Sequence, residues 1–382
     1  MDPRLATPLL AGLSPLEFMR DHWQKRPLLA RRAMPLPCAP LTRAELFALA
    51  ARDEVESRLV VRNGKRWTVR QGPLQRRALP PLRQAGWTLL VQGVDLHVAS
   101  AHALLSNFRF VPDARLDDVM VSYATAAGGV GPHFDSYDVF LLQVQGRRRW
   151  RVGPLTDASL RPDTALKTLR RFEPDSDWLL EPGDMLYLPP RWAHDGVAEG
   201  ECMTCSIGFR APGQLELARD VMQRVIDAVP PQGDPLYVDP RQPASTQPGL
   251  IPPALRAFAE RGVRRLLRNP VELERALGEV MSEPKPRVCF ERGPALRPGV
   301  DACLDRRTRM MYDARHVFIN GEAYRTAGRD ARLMRRLSDE RRLATHELMM
   351  LSPQARALVD EWAQAGWLRS KESEHDRSPR CA

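Results

Sequence analysis

The chain has 382 residues, 43% of them hydrophobic and 27% charged, with a formal net charge of +10. That length exceeds one ordinary domain and suits two or three, and no apolar run is long enough to span a bilayer. The basic excess suits an acidic partner such as nucleic acid or a nucleoprotein particle, but only five of the 57 basic residues are lysines, so a chain-wide arginine bias accounts for it equally well.

The opening residues, MDPRLATPLLAGLSPLEFMRDHW, lack the basic start, apolar stretch and cleavage site of a signal peptide, so a cytoplasmic location is expected. Six scattered cysteines predict free thiols in a reducing compartment. Cys202 and Cys205 form a C-x-x-C, but on a strand positions three apart point to opposite faces, which argues against a shared metal.

Residues 1–95 read as a mixed α/β lead-in. Ser14 to Glu17 has capping-box spacing with proline at the first helical position, predicting a helix through Phe18, Met19 and Trp23. Thr42 to Glu45 repeats the signal. RLVVRNGKRWTVR reads as a hairpin turning at Asn63-Gly64. From 96 to 212 the short strands DVMVSYAT, YDVFLLQVQ, RRWRVG, GDMLYLP and CMTCSIGF predict a sandwich or jelly roll whose interior leaves room for a small molecule. Residues 213–286 turn helical, with helices expected over GQLELARDVMQRVIDAV, Ala254–Leu267 and Val271–Met281, interrupted by a proline-rich loop. Residues 287–370 form a further unit with strands RVCF, MMYDA and HVFING, followed by helices over ARLMRRLSDERR and PQARALVDEWAQAGWL. The polar tail, 371–382, is expected to be disordered.

The chemistry concentrates in GGVGPHFDSYDVF. If this run is a strand, His133 and Asp135 point to the same face, the inner wall of the jelly roll. A buried carboxylate needs a partner, and a metal ion would serve. The third ligand is expected from EPGDMLYLPPRWAHDG, whose His194 follows a strand and two prolines. Two imidazoles and a carboxylate make the facial triad of non-haem iron(II) oxygenases, leaving open positions for a chelating 2-oxo acid and dioxygen. Such an acid needs a cation for its far carboxylate. GRRRWRV offers Arg147, Arg148 and Arg149, and strand alternation turns at least one of them inward.

GPHFDSYDVFLLQVQGRRRWRV and PGDMLYLPPRWAHDG together resemble the JmjC/cupin ribosomal oxygenases, above all the bacterial branch that hydroxylates an arginine of large-subunit ribosomal protein 16. PLEFMRDHWQKRPLL and SIGFRAP extend the resemblance over most of the chain. It implies an α+β protein: a double-stranded β-helix (jelly-roll, JmjC/cupin) catalytic domain with core 96–212 completed by 1–95, a helical dimerisation region at 213–286, and a C-terminal winged-helix domain at 287–370. It further implies iron(II) on His133, Asp135 and His194, with 2-oxoglutarate and dioxygen as cosubstrates. Arg148, and less directly Ser122, would receive the 2-oxoglutarate carboxylate, and Tyr137 would line the substrate pocket. The implied partners are a large-subunit ribosomal protein and a second copy of the chain.

Two other readings stay open in the residues themselves. The same three ligands can hold zinc in a hydrolase or isomerase. Alternatively, the C-terminal unit, with 19 basic and 14 acidic residues from 287 onward, acts as a winged-helix nucleic-acid binder, although DARLMRRLSDERRLA mixes both signs as a solvated helix does. The target side chain is also open between arginine and histidine, because eukaryotic members take histidine.

Overall fold

The computed structural model describes residues 2–64, 66–162, 164–229, 235–244 and 247–371. Of the polar tail only Lys371 is described, and the rest lies outside the described residues. The chain divides into two compact units, Met1–Ala211 and Pro212–Ala382. No helix among the described residues is long and apolar enough to cross a membrane.

The first unit contains α1 (Pro15–Asp21), β1 (Leu28–Ala30), α2 (Arg43–Ala50), β2 (Ser57–Asn63), β3 (Arg66–Gln71), β4 (Trp87–Val91), α3 (Val94–His97), α4 (Ala99–Ser106), β5 (Leu116–Ala124), β6 (Val139–Pro154), β7 (Ser176–Leu180), β8 (Met185–Leu188) and β9 (Trp192–Phe209). Nine strands join in the order β1-β8-β6-β9-β5-β4-β2-β3, with β7 also paired to β6. Every pairing is antiparallel. The lead-in strands are therefore part of the jelly-roll sheet.

Both capping boxes form: Ser14 Oγ and Thr42 Oγ1 each accept the backbone N–H three residues on, and Glu17 and Glu45 reach back to the cap backbone. The first helix stops at Asp21, short of Trp23. Trp23 instead packs with Phe18 against the barrel, 5.0 Å from the Phe209 ring, while Phe18 lies 4.9 Å from Tyr187. This aromatic contact fastens the lead-in onto the strands that carry the site. The first hairpin turns one residue later than the sequence suggests. Asn63 pairs with Arg66, which leaves Gly64, at φ +61°, inside the turn.

YDVFLLQVQ and RRWRVG, expected as two strands, form the single strand β6, which pairs with β9 along its whole length. The ladder slips between Gln143 and Arg147. From the pair Gln143–Thr204 to the pair Arg148–Ala198, β6 advances five residues and β9 six. Side chains alternate along a strand, so an odd advance changes which residues face inward. Val139 and Leu141 line the interior before the slip, and Arg148 and Trp150 line it afterwards. Gly146 makes the slip possible: its φ is +62°, and a Cβ there would lie 2.1 Å from the Glu201 carbonyl oxygen.

The second unit contains α5 (Gln214–Asp227), α6 (Pro253–Leu266), α7 (Pro270–Ser282), β10 (Asp301–Leu304), β11 (Met310–Tyr312), β12 (His316–Ile319), β13 (Glu322–Arg325), α8 (Gly328–Glu340), β14 (Arg342–Leu343), α9 (Thr345–Leu348), α10 (Pro353–Gln364) and β15 (Leu368–Lys371). Two small sheets, β14-β10-β15 and β11-β12-β13, pack with α8 and α10 around Val317, Ile319, Leu337, Val359 and Trp362. RVCF is not a strand. Pro284 and Pro286 precede it and Arg287 takes a left-handed φ of +71°, so the chain turns where a ladder would have to begin. The described cysteines are all free thiols, and Cys202 and Cys205 are buried in separate clusters.

Candidate metal and oxo-acid site

The glycine-rich loop reaches the site by pairing with β9. Ala127 N–H donates to the Ala198 carbonyl and Ala198 N–H to the Gly128 carbonyl, both at 2.9 Å. His133 and His194 then exchange backbone hydrogen bonds at 2.9 and 2.8 Å as an isolated bridge. His133 and Asp135 are thus not on a strand. Pro132 has no N–H for a ladder, and the Asp135 carbonyl accepts from Arg191 N–H at 2.8 Å rather than from a neighbouring strand. These backbone anchors, not strand alternation, bring the side chains together.

His133, Asp135 and His194 each offer a ligand atom, and these atoms all lie within 4.8 Å of one another. The imidazole centroids are 4.3 Å apart, and His194 Nε2 is 3.7 Å from Asp135 Oδ2. Each imidazole faces a carbonyl two residues back: His133 Nδ1 lies 2.9 Å from Gly131 O, and His194 Nδ1 lies 2.9 Å from Trp192 O. A carbonyl only accepts, so Nδ1 carries the hydrogen and Nε2 presents its lone pair to the site. Burial, and then the neighbouring His133, hold the His194 pKa down at about 4. The ring is therefore neutral at pH 7, as a metal ligand must be. Gly196, two residues along β9, leaves room for Trp150; a Cβ there would lie 2.6 Å from the indole ring.

Of the three clustered arginines, Arg149 pairs with Asp177 and Glu199 at the surface and Arg147 is exposed. Arg148 is buried, at 4% exposure. Its Nη1 donates to Ser122 Oγ at 3.0 Å and to Thr204 Oγ1 at 3.4 Å, and its Nη2 donates to the Gly196 carbonyl at 3.4 Å. Its carbon Cζ lies 5.2 Å from the Trp150 ring centroid. Among the described residues no carboxylate forms an ion pair with it, Asp195 being paired with Arg151 instead. Nε has no hydrogen-bond partner, and desolvation pushes the pKa down against the weaker opposing pull of Asp195. A buried guanidinium without a counter-charge is costly, and an anion entering the cavity would relieve it. The donor set of two imidazoles and a carboxylate suits a first-row transition ion such as iron(II), and the guanidinium suits the far carboxylate of a 2-oxo acid.

Both groups line one cavity of about 610 Å³, with Val139, Leu141 and Trp150 as apolar wall. Tyr137, 42% exposed, sits on its lining. Burial, and then the Asp135 charge, push the Tyr137 phenol up. Asp117, Asp118 and Met120 line the same cavity and are absent from the sequence reading. The signal for two of them was legible: Asp118, Met120 and Ser122 recur every second residue along one strand face. Trp150, Thr204 and Gln143 were also missed. Their roles depend on the slip in β6, which no periodicity displays.

Residues 103–217 match the JmjC domain family, and residues 265–369 match the ROXA-like winged helix. The ribosomal protein uL16 3-hydroxylase of Escherichia coli is 38% identical over 272 residues, covering 70% of this chain and 71% of that protein. The X-ray structure of E. coli ycfD superposes with a TM-score of 0.81 at 31% identity, over 94% of this chain and 98% of that one. The E. coli ribosomal oxygenase YcfD in complex with cobalt and 2-oxoglutarate gives a TM-score of 0.79 at 30% identity, over 94% and 99%. A jelly roll followed by a winged helix, with this identity sustained over most of both chains, makes the protein a member of the JmjC-domain ribosomal oxygenase family.

Proposed function

We propose that the protein is an iron(II)- and 2-oxoglutarate-dependent hydroxylase of a large-subunit ribosomal protein, uL16, and that it acts on an arginine side chain. The observation that carries this reading is the unpaired buried Arg148 in the same cavity as the His133–Asp135–His194 cluster. A chelating 2-oxo acid with a second carboxylate uses both features at once, its oxo-acid end at the metal cluster and its far carboxylate at the guanidinium.

His133, Asp135 and His194 would hold the ion, through Nε2, a carboxylate oxygen and Nε2 respectively. Arg148 and Ser122 take the far carboxylate of 2-oxoglutarate. The chemistry such a site supplies when loaded is hydroxylation of a C–H bond by dioxygen, coupled to oxidative decarboxylation of 2-oxoglutarate to succinate. The chain positions the reactants and keeps bulk water off them through Val139, Leu141 and Trp150. Asp117 and Asp118, on the cavity lining with Tyr137, supply negative charge and a ring face for a guanidinium. That lining favours arginine over histidine as target.

In the second unit α6 buries no side chain, and Leu215, Val263 and Leu267 are more than half exposed. This supports a homodimer that covers these helices. Arginines of the winged helix engage acids, among them Arg336 with Glu347, Arg356 with Asp360, and Arg307 with Asp305. The pairing supports docking of protein rather than reading of phosphates. Work on a ribosomal protein is also in keeping with a cytoplasmic location.

Incubation with iron(II), 2-oxoglutarate, dioxygen and a uL16 peptide is expected to add one oxygen atom to an arginine and form one succinate per hydroxylation. Succinate formation with no peptide mass shift, or modification of histidine instead, overturns the substrate assignment.

A further inference from the structure

Ser122, Thr204 and Gln143 stand in one row across β5, β9 and β6, just before the slip that turns Arg148 inward. Gln143 is fully buried and does not line the cavity, yet its hydrogen bonds leave its amide one orientation. Nε2 donates to the Gln145 carbonyl at 2.8 Å and to the Gly146 carbonyl at 3.2 Å, both on residues within the slip. Oε1 then points the other way and accepts from Thr204 Oγ1 at 2.8 Å. A hydroxyl has a single hydrogen. Once Gln143 takes it, the remaining lone pairs of Thr204 Oγ1 face Arg148 Nη1. Ser122 Oγ donates to the Thr204 carbonyl at 3.4 Å, which likewise leaves it an acceptor toward the same nitrogen. With the amide reversed, the Thr204 hydrogen would point at the guanidinium.

We propose that Gln143 is a positioning residue for the 2-oxo acid. By orienting Thr204 it fixes the fork of Arg148, and through that fork it sets the enzyme's preference for a second, distal carboxylate. The inference rests on the reading of Arg148 as the 2-oxoglutarate cation. It accounts for a fully buried glutamine in an otherwise apolar stretch, VFLLQV, and for the placement of the β6 slip between Gln143 and Arg148. The slip both supplies the carbonyls that orient the amide and brings the arginine onto the interior face.

The test compares two ligands on Mn(II)-loaded protein in the absence of peptide: 2-oxoglutarate, and 2-oxobutyrate, which lacks the distal carboxylate. Dissociation constants are read by tryptophan fluorescence or calorimetry for wild type, Gln143→Leu, Thr204→Val and Thr204→Ser. Thr204→Val is nearly isosteric and keeps the test usable if Gln143→Leu does not fold. Both Gln143→Leu and Thr204→Val are expected to weaken 2-oxoglutarate about threefold, less than the worth of a full charge-assisted bond because the Thr204 contact is long at 3.4 Å. Binding of 2-oxobutyrate and of Mn(II) should be unchanged, and Thr204→Ser should restore the wild-type ratio. The double variant should be no worse than either single one, because the two residues act in series. If wild type itself does not prefer 2-oxoglutarate, the Arg148 reading fails and this inference with it. If wild type discriminates and both variants discriminate as strongly, or if both ligands weaken together, Arg148 keeps its role and Gln143 is only structural.

Discussion

Replacing Arg148 by methionine should make the apoprotein more stable and the cosubstrate complex far weaker. Methionine fills much of the same volume without a charge. The guanidinium is buried at 4% exposure with no carboxylate paired to it among the described residues, and only its 3.0 Å bond to Ser122 falls within the usual range; the bonds to Thr204 and Gly196 are 3.4 Å. Two of the three acceptors left behind keep a hydrogen bond, since Thr204 Oγ1 still donates to Gln143 and Ser122 Oγ to the Thr204 carbonyl, and the third, the Gly196 carbonyl, loses only a 3.4 Å contact. Replacing a poorly compensated buried charge with an apolar side chain of similar size is worth about 1–4 kcal/mol. At about 2–4 °C per kcal/mol for a unit of this size, the melting temperature should rise by several degrees. The same substitution removes a desolvated charge pair from the complex. At about 3 kcal/mol or more, that costs roughly a hundredfold in 2-oxoglutarate affinity. Thermal melts with Mn(II), with and without 2-oxoglutarate, read both effects at once. Wild type should gain about 2.7 kcal/mol at a ligand concentration a hundred times its Kd, and the variant almost nothing at that concentration. A variant that melts below wild type and still binds 2-oxoglutarate within about threefold would refute the assignment of an unpaired, ligand-seeking charge.

Three further outcomes follow from the same geometry. The His194 pKa is depressed to about 4 in the folded chain against an ordinary value of 6.5, so between these pH values the unfolded state binds the extra proton. Metal-free protein should therefore lose about 2 kcal/mol from this group between pH 7 and pH 5; urea unfolding should show a loss smaller by that amount in His194→Gln, and an unchanged acid limb speaks against a neutral buried ring. Gly196→Ala forces a methyl within 2.6 Å of the Trp150 indole and should destabilise by about 1–3 kcal/mol and weaken Mn(II) binding, because His194 lies two residues away; wild-type metal affinity in this variant would mean that β9 tolerates the shift. Asp118→Asn keeps an oxygen for the Gly93 N–H it now accepts from at 2.9 Å, so the fold should hold while KM for an arginine peptide rises about tenfold, with 2-oxoglutarate affinity unaltered; equal KM values would remove the carboxylate from substrate recognition.

The elements that were legible in the sequence are those with local causes. Ser14 and Thr42 cap their helices through side chains three residues away, and the helices Pro253–Leu266 and Pro270–Ser282 carry their periodicity within a single segment. The residue types of the candidate site were legible as well, because two imidazoles, a carboxylate and a nearby arginine have few other reasons to converge. The backbone that brings them together was not. The alternation rule placed His133 and Asp135 on a strand, whereas each is fixed by one long-range backbone contact, His133 to His194 and Asp135 to Arg191. RVCF failed for the complementary reason: its β-branched and aromatic content was outweighed by the flanking prolines and the left-handed Arg287.

The β6 slip shows why site precision is harder to read than site composition. In an unbroken strand Gln143 and Arg148, five apart, would face opposite sides of the sheet. A sequence reader who extends the alternation from Val139 and Leu141 therefore predicts Arg147 and Arg149 inward and Arg148 in solvent. The structure reverses all three, burying Arg148 and leaving its neighbours to surface acids or water. One glycine with a positive φ, Gly146, separates the two outcomes, because any Cβ there would run into the Glu201 carbonyl. Gly146→Ala should accordingly weaken 2-oxoglutarate binding by at least as much as Gln143→Leu, since it disturbs the direction of Arg148 itself and not just the acceptor that steadies it. A Gly146→Ala protein that folds, binds 2-oxoglutarate as wild type does and keeps its preference over 2-oxobutyrate would show that the inward turn of Arg148 is set elsewhere in the strand.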